Sequence, residues 1–187
     1  MGRWEPGAGQ RLVSAALGLF VEEGYERTTV AEIAARAGVT ERTFFRYFAD
    51  KREVLFAGGH EMKVMLVKAV AEAPASATPL GAVASALEVV AAEIFADILD
   101  FARRRQMIIN SSPDLQEREL LKLASMTSAV ASALRDRGAS AAGASLAAET
   151  GMAVFKTAFA AWVSESNTRS LSEIIAETFA ELRAVVA

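Results

Sequence analysis

Apolar positions recur at three- and four-residue intervals almost throughout the chain, and no alternating run long enough for a strand interrupts them. Leu12, Ala16, Leu19 and Phe20 mark a first helix over 10–23, closed by Gly24. Thr29 stands three residues ahead of Glu32, the spacing of a capping box, and opens a short helix over 30–37 that Gly38 stops. Val39 follows as the turn residue that would plug into the core. Thr40 then heads a third helix through 47. Asp50 and Glu53 repeat the cap spacing and predict a fourth helix from 51 to about 73, ended by Pro74. The register of Val83, Leu87, Val90, Ile94 and Ile98 predicts one helix over 80–103. Shorter or more uniform patterns predict helices over 104–110, 114–137, 139–165 and 171–186. The expectation is an all-α fold of about nine helices. Its first elements have the helix, Gly-containing turn, helix pattern of a helix-turn-helix, preceded by a supporting helix.

Composition narrows the function classes. The chain is alanine-rich, with four prolines and twelve glycines, which favours helices. Without cysteine it has no disulfide framework, thiolate metal site or cysteine nucleophile, and its single histidine, His60, cannot build a histidine-rich metal site. The amino-terminal "MGRWEPGAGQ" lacks the apolar stretch of a secretory leader. Apolar runs elsewhere are broken by charge well short of the ~20 residues a membrane span needs. These features predict a soluble, cytoplasmic protein with no membrane contact, metal or cofactor. A helical enzyme is the weaker alternative, because no metalloprotease, phosphate-loop or nucleophile-elbow motif and no paired acid cluster occurs. The net charge of −3 is unevenly spread. Residues 1–52 carry 8 Lys+Arg against 7 Asp+Glu, and residues 53–187 carry 12 against 16. The front of the chain is mildly basic and the remainder acidic.

The segment "TERTFFRYF", from Thr40 to Phe48, concentrates aromatic and basic residues. At about 100° per residue, Phe44 and Phe48 share one face as core anchors. Arg42, Phe45 and Arg46 fall on the opposite face. Arginine there can pair with guanine N7 and O6 or with phosphate, and an apolar ring can meet a thymine methyl. Thr40 and Thr43, near the helix start, add hydroxyl donors for phosphate or base edges. The competing reading for the arginines is a solvated helix face, and for Phe45 packing against a neighbouring helix.

Residues 10–55, with "ALGLFVEEGYERTTVAEIAARAGVTERTFFRYFADKREVL" as the matching stretch, resemble the DNA-binding domain of the tetracycline-repressor (TetR) family of bacterial transcriptional regulators. Phe20, Gly24-Tyr25, Thr28-Thr29-Val30, Ile33 to Val39, Phe48 and Lys51 carry the resemblance. It implies a DNA-binding domain at 1–52 and a helical effector-binding and dimerisation domain at 53–187. It further implies that Thr29 and Lys51 contact phosphate, and that Arg42, Thr43, Phe45, Arg46 and Tyr47 lie on the recognition helix. Phe45 replaces a tyrosine common in the family, leaving Tyr47 to supply the hydroxyl.

The second half is less distinctive. The resemblance implies an effector cavity, for which Met62, Met65, Phe95, Phe101, Met107, Met126, Phe155 and Phe159 are candidates, since methionine and aromatic rings suit adaptable apolar pockets. Asn110, Thr127, Lys156 and Thr157 are candidate orienting groups. Arg103 to Arg105 and the residues after them resemble actinobacterial members, some of which take acyl or acyl-CoA-like ligands. The last two helices offer Ala158, Trp162, Ile174, Ile175, Thr178, Phe179 and Leu182 as a homodimer interface. Gly58-Gly59, inside the predicted fourth helix, reads either as close packing or as a bend. The function expected is a homodimeric repressor released from a palindromic operator in double-stranded DNA by a small apolar effector. An activator or architectural factor that ligand does not release is the alternative.

Overall fold

A computed structural model describes residues 7–186, so most of the segment inspected for a leader lies outside the described residues. Nine α-helices and one 3₁₀ turn are present among them, with no strand. In order these are α1 (Ala8–Glu22), α2 (Val30–Arg36), α3 (Glu41–Tyr47), the 3₁₀ turn Glu53–Phe56, α4 (Gly59–Glu72), α5 (Pro79–Ile94), α6 (Leu99–Asn110), α7 (Pro113–Asp136), α8 (Ala141–Trp162) and α9 (Leu171–Val186). No helix among the described residues is long and apolar enough to cross a membrane.

Two of the expected helices are divided. The predicted fourth helix breaks into the 3₁₀ turn and α4, because Gly58 adopts φ +83°, a left-handed conformation that ends helical hydrogen bonding. The glycine pair therefore joins two elements instead of softening one. The predicted 80–103 helix ends at Ile94. Phe95 caps α5 with its N–H on the Ala91 carbonyl oxygen, and α6 starts only at Leu99. Neither glycine nor proline marks this break, so the apolar register continued through it.

The chain forms two compact units. The first comprises residues up to Gly58 together with Arg104–Glu119, and the second comprises Gly59–Arg103 and the residues from Leu120 onward. This division differs from the boundary at 52/53 expected from sequence, chiefly by placing most of α6 and the start of α7 with the amino-terminal helices.

In the first unit, α1 supplies Leu12, Ala16, Leu19 and Phe20 to the core, α2 supplies Ile33 and Ala34, and α3 supplies Phe44. Val54 and Leu55 of the 3₁₀ turn are buried as well. In the second unit α5 lies against α4, α8 and α9. Contact between α5 and α8 is close enough that a Cβ on Gly151 would overlap the Val83 side chain. Phe95 sits among Phe155, Phe159 and Trp162 with ring centroids 5.6–6.0 Å apart. Arg137 closes the α4–α5 loop by donating to the carbonyl oxygens of Ala71, Ala73 and Pro74.

Candidate nucleic-acid interface

The turn between α2 and α3 is set by Gly38, at φ +68°, whose successor Val39 donates to the Ala34 carbonyl oxygen. Thr40 caps α3 by accepting from the Thr43 amide at 3.2 Å, and the two threonine hydroxyls stand 3.1 Å apart. Phe44 is fully buried and Phe48, half-buried at the helix end, tilts against it at 5.7 Å. This anchoring turns the other face of α3 outward. Arg42 and Arg46 are exposed, and neither has a hydrogen-bond or ion-pair partner among the described residues. Phe45 is 54% exposed between them, touching Phe44 only edge to face. Arg42, Thr43, Phe45 and Arg46 line one shallow concavity. Tyr47, 48% exposed, lies beneath the Arg46 guanidinium and close to Gly9 of α1. An apolar ring flanked by two unpaired guanidinium groups gains little from water, but it matches the mixed edge of a DNA major groove.

The two residues expected to hold phosphate are occupied within the protein. Thr29 forms a complete capping box. Its hydroxyl donates to Glu32 Oε2 at 2.7 Å, and its backbone N–H donates to the same oxygen at 2.8 Å. These bonds hold the Glu32 carboxyl below its ordinary range. Lys51 Nζ donates to the carbonyl oxygens of Tyr25, Glu26 and Thr28 at 2.8, 3.1 and 3.1 Å, using all three ammonium protons, and lies 4.5 Å above the Tyr25 ring. Next to it, Asp50 accepts from the Arg52 guanidinium and from the amides of Arg52 and Glu53, and the Arg52 side chain is the main cause of its lowered pKa.

The expected effector residues are spread over both units. Met62, Met126 and Phe155 are buried in the core of the second unit, and Met65, Phe95 and Phe159 pack against it. Phe101 is half-buried, and Met107 is exposed and belongs to the first unit. A cleft in the second unit runs between α7 and α8, has a volume of about 390 Å³, and has Leu123, Ala131 and Met152 among its apolar walls. Arg135, Glu149 and Lys156 are its charged groups, and none is paired with another group among the described residues. Of the candidate orienting groups, Thr127 and Lys156 line it, whereas Asn110 and Thr157 are exposed outside it. The expected dimer residues Ala158, Trp162, Ile174, Ile175 and Phe179 are buried in the protomer's own core, with Leu182 packed against it. Thr178, half-buried, donates its hydroxyl back to Ile174.

A family model for the amino-terminal domain of bacterial regulatory proteins of the tetR family matches residues 12–57. A second, described as the MftR C-terminal domain, matches residues 77–187, more than half of the chain. The chain belongs to the TetR family. Membership identifies α2 and α3 as the helix-turn-helix of the family's amino-terminal domain, the domain of bacterial regulatory proteins. TcmR of Streptomyces glaucescens, an HTH-type transcriptional regulator, is 40% identical over 80 residues, covering 43% of this chain and 35% of its own. The chain thus spans about a third of the length of that relative. Two solved structures share the fold. Thermus thermophilus FadR, a TetR-family repressor in complex with lauroyl-CoA, aligns at TM-score 0.55 and 20% identity over 94% of this chain and 93% of its own. The SmeT–triclosan complex aligns at 0.64 and 21% over 94% and 91%.

Proposed function

We propose that this TetR-family regulator is a homodimeric repressor that reads a palindromic operator with α3 and is released by a small amphipathic effector. The observation that carries the DNA-reading part is the outward face of α3, where Arg42, Phe45 and Arg46 are exposed and the arginines lack ion-pair partners among the described residues. Arg42 and Arg46 supply bidentate donors and Phe45 an apolar surface for a thymine methyl. Two copies related by a twofold axis would place two such helices about one DNA turn, ~34–36 Å, apart.

The second copy packs against the outward face of α8 and α9. The inward face is filled, whereas Ala153, Thr157 and Ala160 of α8 and Ala176 and Ala180 of α9 are exposed and small enough for close helix approach. The effector occupies the α7–α8 cleft, whose volume lies in the range of small-molecule sites. Lys156 and Arg135 would meet an anionic head group, and Leu123, Ala131 and Met152 the apolar body. The lauroyl-CoA carried by the FadR relative has this amphipathic character. Effector must bind the DNA-incompetent arrangement more tightly for release to follow.

The test is selection of duplexes from a randomised library by the wild-type chain, followed by sizing of the complex. A twofold-symmetric consensus bound by two protomers supports the reading. A consensus without symmetry, bound by one protomer, contradicts it.

A further inference from the structure

The loop that delivers α2 holds three backbone carbonyl groups converging on one point. Gly24 turns the chain at φ +91°, and the amide and hydroxyl of Thr28 both return to its carbonyl oxygen, at 3.3 and 2.9 Å. Thr28 is 1% exposed and Tyr25 7%, with the Tyr25 ring edge-on to Phe20 at 5.2 Å. In this tight turn the oxygens of Tyr25, Glu26 and Thr28 all face Lys51 Nζ. Three carbonyl dipoles aimed at one point repel one another unless a compact cation lies between them. The lysine ammonium fits, having three protons on one small centre, whereas an arginine guanidinium presents its donors as a planar fork.

We infer that Lys51 serves operator binding as an internal strut, fixing the 24–29 loop and so the entry to α2, and not as a phosphate ligand. Thr29, the residue after the last of the three carbonyls, is the N-cap of α2. Displacing the loop shifts that cap, then α2, and with it α3, which packs on α2. Lys51 is a positioning residue in this account, which rests on the DNA-reading function proposed above. The bonds already made leave its ammonium no proton for a phosphate oxygen.

Lysine footprinting of the wild-type chain with an acylating reagent, free and bound to a duplex it has selected, tests this without a variant. Lys51 should react far more slowly than Lys68, whose side chain is 69% exposed, both with and without DNA. Reaction as fast as Lys68 in the free protein, with protection on DNA, would overturn the strut. Salt titrations of Lys51→Met and Lys51→Arg, at a temperature where circular dichroism shows both folded, supply the second arm. Each should lose about tenfold or more in affinity with the slope against salt unchanged, and the retained charge of Lys51→Arg should not rescue binding. Full affinity in Lys51→Met would overturn the inference. So would rescue by Lys51→Arg with a slope in Lys51→Met reduced by about 0.9, the share of one phosphate contact. If the wild-type chain selects no duplex, the functional reading fails, while the footprint of the free protein still tests the strut.

Discussion

Arg105 Nε donates to the carbonyl oxygen of Leu55 at 2.6 Å, fixing a helix from the middle of the chain to the 3₁₀ turn that follows the DNA reader. The same guanidinium bonds Glu119 at 2.9 Å and lies 5.2 Å over the Phe56 ring. Burial lowers the Arg105 pKa, and the Glu119 carboxylate opposes that loss. Arg118 pairs with Glu53 beside it. All of these groups belong to the first unit. Glu119→Ala should therefore lower the unfolding free energy of that unit by about 1.5–3 kcal/mol, the usual range for hydrogen bonds to charged groups. Arg105→Lys should fail to restore it, because the fork geometry is lost. Urea unfolding followed by circular dichroism reads both, and an unchanged midpoint in Glu119→Ala would contradict the assignment.

Adjacent rings on α3 separate folding from reading. Phe44 is 0% exposed, so Phe44→Ala should cost about 3–5 kcal/mol of stability. Phe45→Ala, at an exposed position, should change stability by no more than about 1 kcal/mol. Operator binding should nevertheless weaken in Phe45→Ala, most of all on duplexes rich in thymine at the recognised positions. Thermal melts beside anisotropy titrations check the split, and equal stability losses in the two variants would sink it.

Gly151 reports the α5–α8 approach. A methyl there overlaps Val83, so Gly151→Ala should destabilise the second unit by about 1–3 kcal/mol through overpacking. Adding Val83→Ala should recover part of the loss, because it removes the atoms that clash. A double variant no more stable than Gly151→Ala alone would show that the loss has another source.

Stability should be highest between the acid and alkaline limits. Thr29 holds Glu32, Arg52 holds Asp50 and Ser170 holds Glu173 below their ordinary values of 4.5, 3.8 and 4.5. The unfolded chain binds more protons at these sites, so their contribution is full above those values and is lost as pH falls through and below them. Burial raises Tyr25 from 10.0 to about 12, so its contribution is present below pH 10 and is lost as pH rises toward 12. Melting temperatures across pH should show both limbs, with Glu32→Gln and Asp50→Asn together flattening the acid one.

What the sequence revealed followed local chemistry. The Thr29–Glu32 box, the Thr40 cap and the Gly24 and Gly38 turns declare themselves within a few residues, and all appear in the structure. The two faces of α3 are legible for the same reason, since consecutive helical residues point about 100° apart, which leaves Phe44 buried and Phe45 exposed. Interactions between distant residues were not legible. Lys51 reads as a phosphate contact until the carbonyls of Tyr25, Glu26 and Thr28 are seen around it. Nothing in the spacing of Arg105, Glu119 and Leu55 shows that they meet. Of the methionines and phenylalanines read as an effector cavity, Met62, Met126 and Phe155 lie in the core of the second unit and Met65, Phe95 and Phe159 pack against it, because large apolar side chains suit both roles. The apolar residues of α8 and α9 that read as a dimer seam line the core of the second unit, a placement their spacing alone does not reveal.

The central claim is that the outward face of α3 reads DNA. Affinities of wild type and Arg42→Ala for the selected duplex and its single-base variants test it most directly. A loss of about 1–3 kcal/mol on the selected duplex, with discrimination relaxed at one base pair of each half-site, is the predicted result. Equal affinity and unchanged discrimination in the two proteins would contradict it.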